Sequence, residues 1–223
     1  SDFSQTRAAD PAKMPLFQWH GGLAALVGDG RGVKILGGFF MDDDRLAELG
    51  VDDPADVSPP FERVTLRLGG NPVSGWGAPS LTVATLFAHF CWEDKETGTA
   101  FPVTEYDLRK GRGDGTQHQL RGRARALVVV QQLENMGIHQ PVLLTFRGSY
   151  SAAWNQMQKE LKRMSDKATT LRRQAGREGS VPMEAFWVQL SAGEMVDVGE
   201  GANTSRVSLP THFIPPNGTL DRE

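Results

Sequence analysis

Six cations fall between residues 109 and 125: Arg109, Lys110, Arg112, Arg121, Arg123 and Arg125, interleaved with Gly111, Gly113, Gly115 and Gly122. Guanidinium and ammonium groups at this density suit phosphate backbones, because each neutralised phosphate releases a condensed counterion. The basic block continues into Lys159, Lys162, Arg163, Lys167, Arg172 and Arg173. Residues 109–177 carry 14 Lys/Arg against 4 Asp/Glu, whereas the full chain has a net charge of −3. The flanking regions 1–60, 61–108 and 178–223 are each net acidic. A basic segment inside an acidic chain creates a local field that attracts polyanions. The competing reading is that the same charges coat the solvated faces of a helix and two strands.

Polyanion binding by a single strand also needs exposed aromatic faces on which bases stack, each worth about 1–3 kcal/mol. Trp76 lies in Gly75-Trp76-Gly77, read here as a loop with no core to fill, and Tyr106 precedes the basic block. These two are the expected stacking platform. Phe87, Phe90, Trp92, Phe146, Trp154, Phe186 and Trp187 are expected to pack.

Residues for catalysis are sparse. His20, His89, His118, His139 and His212 show no i, i+4 pair of the kind that holds a metal on a helix. His89 and Cys91 alternate on an apolar strand, about 7 Å apart, too far for a nucleophile–base hydrogen bond. His89 is therefore read as a core histidine. Asp42, Asp43 and Asp44 could hold a divalent cation, but successive helical positions diverge by about 100°, which favours a helix start. No G-x-S-x-G elbow or phosphate-binding P-loop is present. The expectation is a non-catalytic protein with no cofactor and no bound metal.

The elements that would carry these residues follow from periodicity. Asp42–Asp44 opens a short helix that ends at Gly50. From Phe61 the period is two, predicting strands over 61–68, 80–92, 101–108, 124–133, 141–147, 183–190 and 206–214. Residues 109–125 read as a mobile basic loop. Tyr150, Trp154, Met157, Leu161, Met164, Ala168, Leu171 and Ala175 recur in steps of four and three, an amphipathic helix over about 149–175. Its stripe is core or a self-association seam. Lys162, Arg163, Arg172 and Arg173 lie off the stripe and would extend a positive surface.

Length and composition set the frame. The 223 residues are 39% hydrophobic and 23% charged, enough for a packed core and too balanced for a disordered polyelectrolyte. Cys91 is the single cysteine, so no intrachain disulfide forms. No apolar run approaches the roughly 20 residues of a spanning helix, and the start lacks a secretory pattern. The expectation is a cytoplasmic protein without membrane contact. Residues 1–13 read as a flexible tail and 14–223 as one domain, its acidic portion 14–60 packed on a β-rich core 61–214.

The stretch Ala126-Leu-Val-Val-Val130, then Pro141-Val-Leu-Leu-Thr-Phe-Arg-Gly-Ser149, then the amphipathic helix, resembles phage- and plasmid-borne proteins related to single-stranded DNA-binding proteins. The resemblance covers about a quarter of the chain. It implies an OB-like barrel presenting a groove for oligonucleotides.

The sequence thus predicts an α+β, mainly β fold: a curved antiparallel sheet or OB-like barrel with one long helix. The leading functional expectation is single-stranded DNA binding, with RNA as the other substrate. Arg109, Lys110, Arg112, Arg121, Arg123 and Arg125 would contact phosphates, Trp76 or Tyr106 would stack, and the helix cations would widen the surface. A second expectation is a self-assembling structural protein of a phage or mobile element, a homo-oligomer built through the helix or sheet edges. A third is a metal-dependent nuclease using Asp42–Asp44.

Overall fold

Valine- and leucine-rich runs punctuated by glycine form strands here, and the single strong 3.6-residue period forms the long helix. The computed structural model describes residues 15–27, 32–51, 53–68, 71–102, 120–199 and 204–215. Their fold is mainly β, α+β, with one mixed ten-stranded sheet. The strands are β1 (Leu16–Val27), β2 (Gly32–Asp42), β3 (Glu62–Leu68), β4 (Asn71–Ala78), β5 (Ser80–Asp94), β6 (Ala100–Phe101), β7 (Leu120–Val130), β8 (Val142–Arg147), β9 (Val188–Val198) and β10 (Ser205–Phe213). Two short helices, α1 (Asp43–Glu48) and α2 (Gln131–Glu134), and the long α3 (Ser149–Gln174) complete them.

The strand order is β10-β9-β5-β7-β8-β1-β2-β4-β3, with β6 paired to β5. The sheet is open rather than a closed OB-like barrel. The far end of the order, β3, pairs β4 along its length and turns back onto β1 at Ala25–Val27. No ladder among the described residues joins it to β10, which hydrogen-bonds to β9. The sheet is also mixed rather than antiparallel throughout, because β1 and β8 run parallel. β1 and β2, from the acidic N-terminal portion, are strands of this same sheet and not a layer laid upon it.

Several expected loops are strands. Trp76 lies within β4, and Arg121, Arg123 and Arg125 lie on β7 and not in a mobile loop. β9 continues through Ser191–Val198, beyond the expected strand end at residue 190. The anticipated strand over 103–108 falls outside the described residues.

Helix α3 starts directly from β8 at Gly148, whose φ of 61° lies in the left-handed region that favours glycine. No side chain caps the helix N-terminus, and the Ser151 hydroxyl donates to the Gly148 carbonyl at 2.6 Å. The apolar stripe then packs on the sheet. Trp154 stacks on Phe146 with centroids 4.8 Å apart, and Phe146 in turn meets Trp19 and Phe39. Trp154, Met157 and Leu161 are buried, together about 5–9 kcal/mol of apolar burial. Beyond Ala168 the stripe leaves the sheet, and Leu171 is 55% exposed. Gly176, with φ 71°, ends the helix as the sequence predicts.

Candidate functional site

Strand alternation sends neighbouring residues of β5, β7 and β8 to opposite sheet faces. On one face Gly122, Ala124 and Ala126 lie beneath α3; a Cβ at Gly122 would meet Ser151 Oγ at 2.7 Å. The other face receives Arg121, Arg123 and Arg125. Register sets Glu93 opposite Arg121, Cys91 opposite Arg123, His89 opposite Arg125 and Phe87 opposite Leu127. On the other flank of β7, Arg123 faces Arg147 and Arg125 faces Thr145. The result is a row of four guanidiniums with Glu93 at one end and an exposed aromatic at the other.

Glu93 is the anchor. It is 1% exposed and accepts from Arg121 Nε at 3.0 Å and Nη2 at 2.5 Å, and from Arg123 Nη1. Arg147 Nε stands 3.6 Å from the same carboxylate. Burial raises the Glu93 pKa, but the hydrogen bond from Arg121 and the charges of Arg147, Arg123 and Arg121 outweigh it and hold the carboxyl below its ordinary range. One carboxylate cannot neutralise four cations. Burial first, then the charges of Arg125 and Arg147, press the Arg123 guanidinium below its usual value. The Nε atoms of Arg123, Arg125 and Arg147 are buried without a hydrogen-bond partner among the described residues. Such a surplus of donors and charge suits an anion.

Phe87 supplies what Trp76 does not. It is 63% exposed, against the expectation that it packs, and beside it His89 is also exposed and is no core histidine. The cause is a register shift in β5 between Thr85 and Phe87, which interrupts the strict period-two pattern. Trp76 instead packs against the core, with Arg63 over its ring at 5.3 Å. It stands on β4, four strands from β7 in the sheet order. The structure does not bring Trp76 to the arginines.

The other candidate residues divide. Arg109, Lys110, Arg112 and Tyr106 lie outside the described residues. Lys162, Arg163, Arg172 and Arg173 are exposed on α3, which covers the opposite sheet face from Arg123 and Arg125. Arg172 Nε donates to the Glu178 carbonyl at 2.9 Å and holds the chain after the helix. Arg147 was absent from the expected site; its place after an apolar run hid it, and only the β7–β8 register reveals it. Arg121 also borders a 420 Å³ groove at the start of α3, with Phe90, Trp92, Lys95 and Asn155 on its walls.

The aspartate run is occupied locally. Asp42 accepts from Arg45 N at 3.1 Å, and Asp43 forms a two-pronged pair with Arg63. Elsewhere, a 460 Å³ cleft combines Leu86, Val129 and Trp187 with Glu134 and Glu184, and its carboxylates disfavour an anion. No helix of the described residues is long and apolar enough to cross a membrane.

No protein-family model, curated protein or solved structure matches this chain. The functional reading therefore rests on the site alone.

Proposed function

We propose that the chain is a non-catalytic nucleic-acid-binding protein that takes a single strand across the arginine row of β7 and β8. The observation that carries this reading is the imbalance of Arg121, Arg123, Arg125 and Arg147 around Glu93, the one carboxylate paired with them among the described residues. Phosphates of a strand would complete the pairing that Glu93 begins, and Phe87 with His89 would stack bases at the far end. Single strands are favoured over duplex because Phe87 presents a free ring to an unstacked base. Arg125 is the discriminating residue, since it makes no ion pair with Glu93. Arg125→Ala should weaken oligonucleotide binding and flatten the slope of log K against log salt by about 0.7 per lost phosphate contact. An unchanged slope in a folded variant would remove the row from the account.

A second reading, self-assembly, is favoured by the end of α3. Leu171 is exposed between cations, and the 460 Å³ cleft offers an apolar wall edged by Glu134 and Glu184. Sedimentation at two salt concentrations separates the readings: a salt-sensitive oligomer without oligonucleotide affinity supports assembly.

A further inference from the structure

We propose that a 290 Å³ cleft where β1, β8 and the start of β10 meet is a site for a phosphomonoester. It rests on the nucleic-acid reading only for one of its two sources of phosphate, a strand end; the other source is a free nucleotide.

The cleft is built from polar groups with unmet hydrogen bonding. His20, Thr145, Arg147, Tyr150 and Arg206 line it. Thr145 is 1% exposed and His20 is buried, and neither Thr145 Oγ1 nor His20 Nε2 has a hydrogen-bond partner among the described residues. Arg147 Nε is turned towards Glu93 at 3.6 Å, so what Arg147 brings to the cleft is its charge. Leaving a buried polar group unsatisfied costs roughly 1–3 kcal/mol, so the two on one cavity wall, Thr145 and His20, point to a partner that completes them. The inventory defines that partner. Arg147 and Arg206 bring positive charge, Thr145 and Tyr150 bring hydroxyls, and a ring N–H of His20 is a further donor. The Tyr150 hydroxyl is hydrogen-bonded by the Gly21 backbone, which positions it at the cleft.

Position 21 must be glycine for this arrangement. A Cβ there would come within 2.5 Å of the Tyr150 hydroxyl and of the Ser208 carbonyl. His20, packed edge-on against Phe40 at 5.8 Å, is buried deeply enough to stay uncharged at neutral pH, so its ring can donate or accept. A dianion with three terminal oxygens accepts from two guanidiniums and two hydroxyls together, which a carboxylate with two oxygens does less completely. The volume, at the lower end of small-ligand cavities, leaves room for the group that bears the phosphate.

The test is calorimetric titration of the whole chain with inorganic phosphate and with a nucleoside monophosphate, the unphosphorylated nucleoside serving as control. In parallel, oligonucleotides of one sequence carrying a 5′-phosphate, a 3′-phosphate or only hydroxyl ends are titrated by anisotropy. The expected results are saturable one-to-one phosphate binding, and weakening by at least about tenfold in both Thr145→Val and Arg206→Gln. Thr145→Val should at the same time leave the melting temperature unchanged or raised, because it deletes an unpaired hydroxyl. A nucleoside monophosphate that outbinds every strand end identifies the free nucleotide as the source; preference for one phosphorylated end identifies the strand. No binding of inorganic phosphate or nucleotide at millimolar concentration, with equal affinity for all three strand ends, overturns the proposal. Strands that bind equally well with any end would leave the arginine row standing. Loss of all strand binding with phosphate binding intact would overturn the arginine row alone.

Discussion

Glu93→Gln separates the stabilising part of the arginine cluster from the binding part. Glutamine keeps the volume but removes the charge that Arg121, Arg123 and Arg147 share. Truncating one member of a buried pair costs about 3–5 kcal/mol. Arg121 and Arg147 are about one-third exposed, and water screens their share, which places the expected loss near the lower end, about 3 kcal/mol. Guanidinium chloride unfolding followed by circular dichroism at neutral pH reads that loss directly. The pH dependence fixes the sign. Because the folded carboxyl titrates below its unfolded value, its stabilisation is present above the ordinary carboxylate pKa and is lost as pH falls through the lowered one. The gap between wild type and variant should therefore be full at pH 7 and shrink below about pH 4. Oligonucleotide affinity moves the other way: with the carboxylate gone, the row holds more unneutralised charge, and binding by the folded variant should strengthen. A loss under about 1 kcal/mol would show that Glu93 does not hold the cluster together, and weaker binding in a folded variant would show that the arginines are not the binding surface.

Four other outcomes are expected. Phe87→Ala should reduce single-strand affinity about fivefold or more with little change in unfolding free energy, since the ring is already exposed; anisotropy and a melting curve check both halves. His20 is held at about 4 by burial and then by the charge of Arg147, whereas its unfolded value is 6.5. Its contribution is complete above pH 6.5 and falls by roughly 3 kcal/mol as pH drops towards 4, because the unfolded chain takes up the proton first. Denaturation at pH 7, 6 and 5 should show that slope, flattened in His20→Gln, and parallel curves would contradict it. Trp154→Ala, which removes the ring stacked on Phe146, should cost about 3–5 kcal/mol in chemical unfolding. Gly21→Ala should destabilise the chain through its close approach to Tyr150 and Ser208, seen as a lowered melting temperature, whereas Gly50→Ala meets open space and pays only the left-handed backbone strain.

The long helix was legible to within a residue at its end, because seven consecutive steps of four and three leave no strand alternative. The β5 and β8 strands and the second half of β7 were legible from their Val and Leu content. The open sheet was not. Its topology depends on pairings distant in sequence, β1 with β8 and β5 with β9, which have no local signature. Part of the site was visible as charge: Arg121, Arg123 and Arg125 do share a face, as alternate residues on a strand must. Their glycine neighbours made that strand look like a loop, although Gly122 is there to let Ser151 approach. Arg147 and Glu93 were invisible because a buried charge cluster is assembled by register. Trp76 and Phe87 exchanged roles for two physical reasons. A glycine-flanked tryptophan can sit in a strand beneath an arginine, and a register shift can turn an apolar strand residue outward.

Titration of labelled single-stranded and duplex DNA and RNA with the protein at two salt concentrations, read by fluorescence anisotropy, shows whether the arginine row takes a single strand. Binding should be tighter to single strands than to duplex and should weaken steeply as salt rises. Absence of binding at the lower salt would contradict the nucleic-acid reading, and would leave the surplus charge of Arg121, Arg123, Arg125 and Arg147 to contacts between copies of the chain.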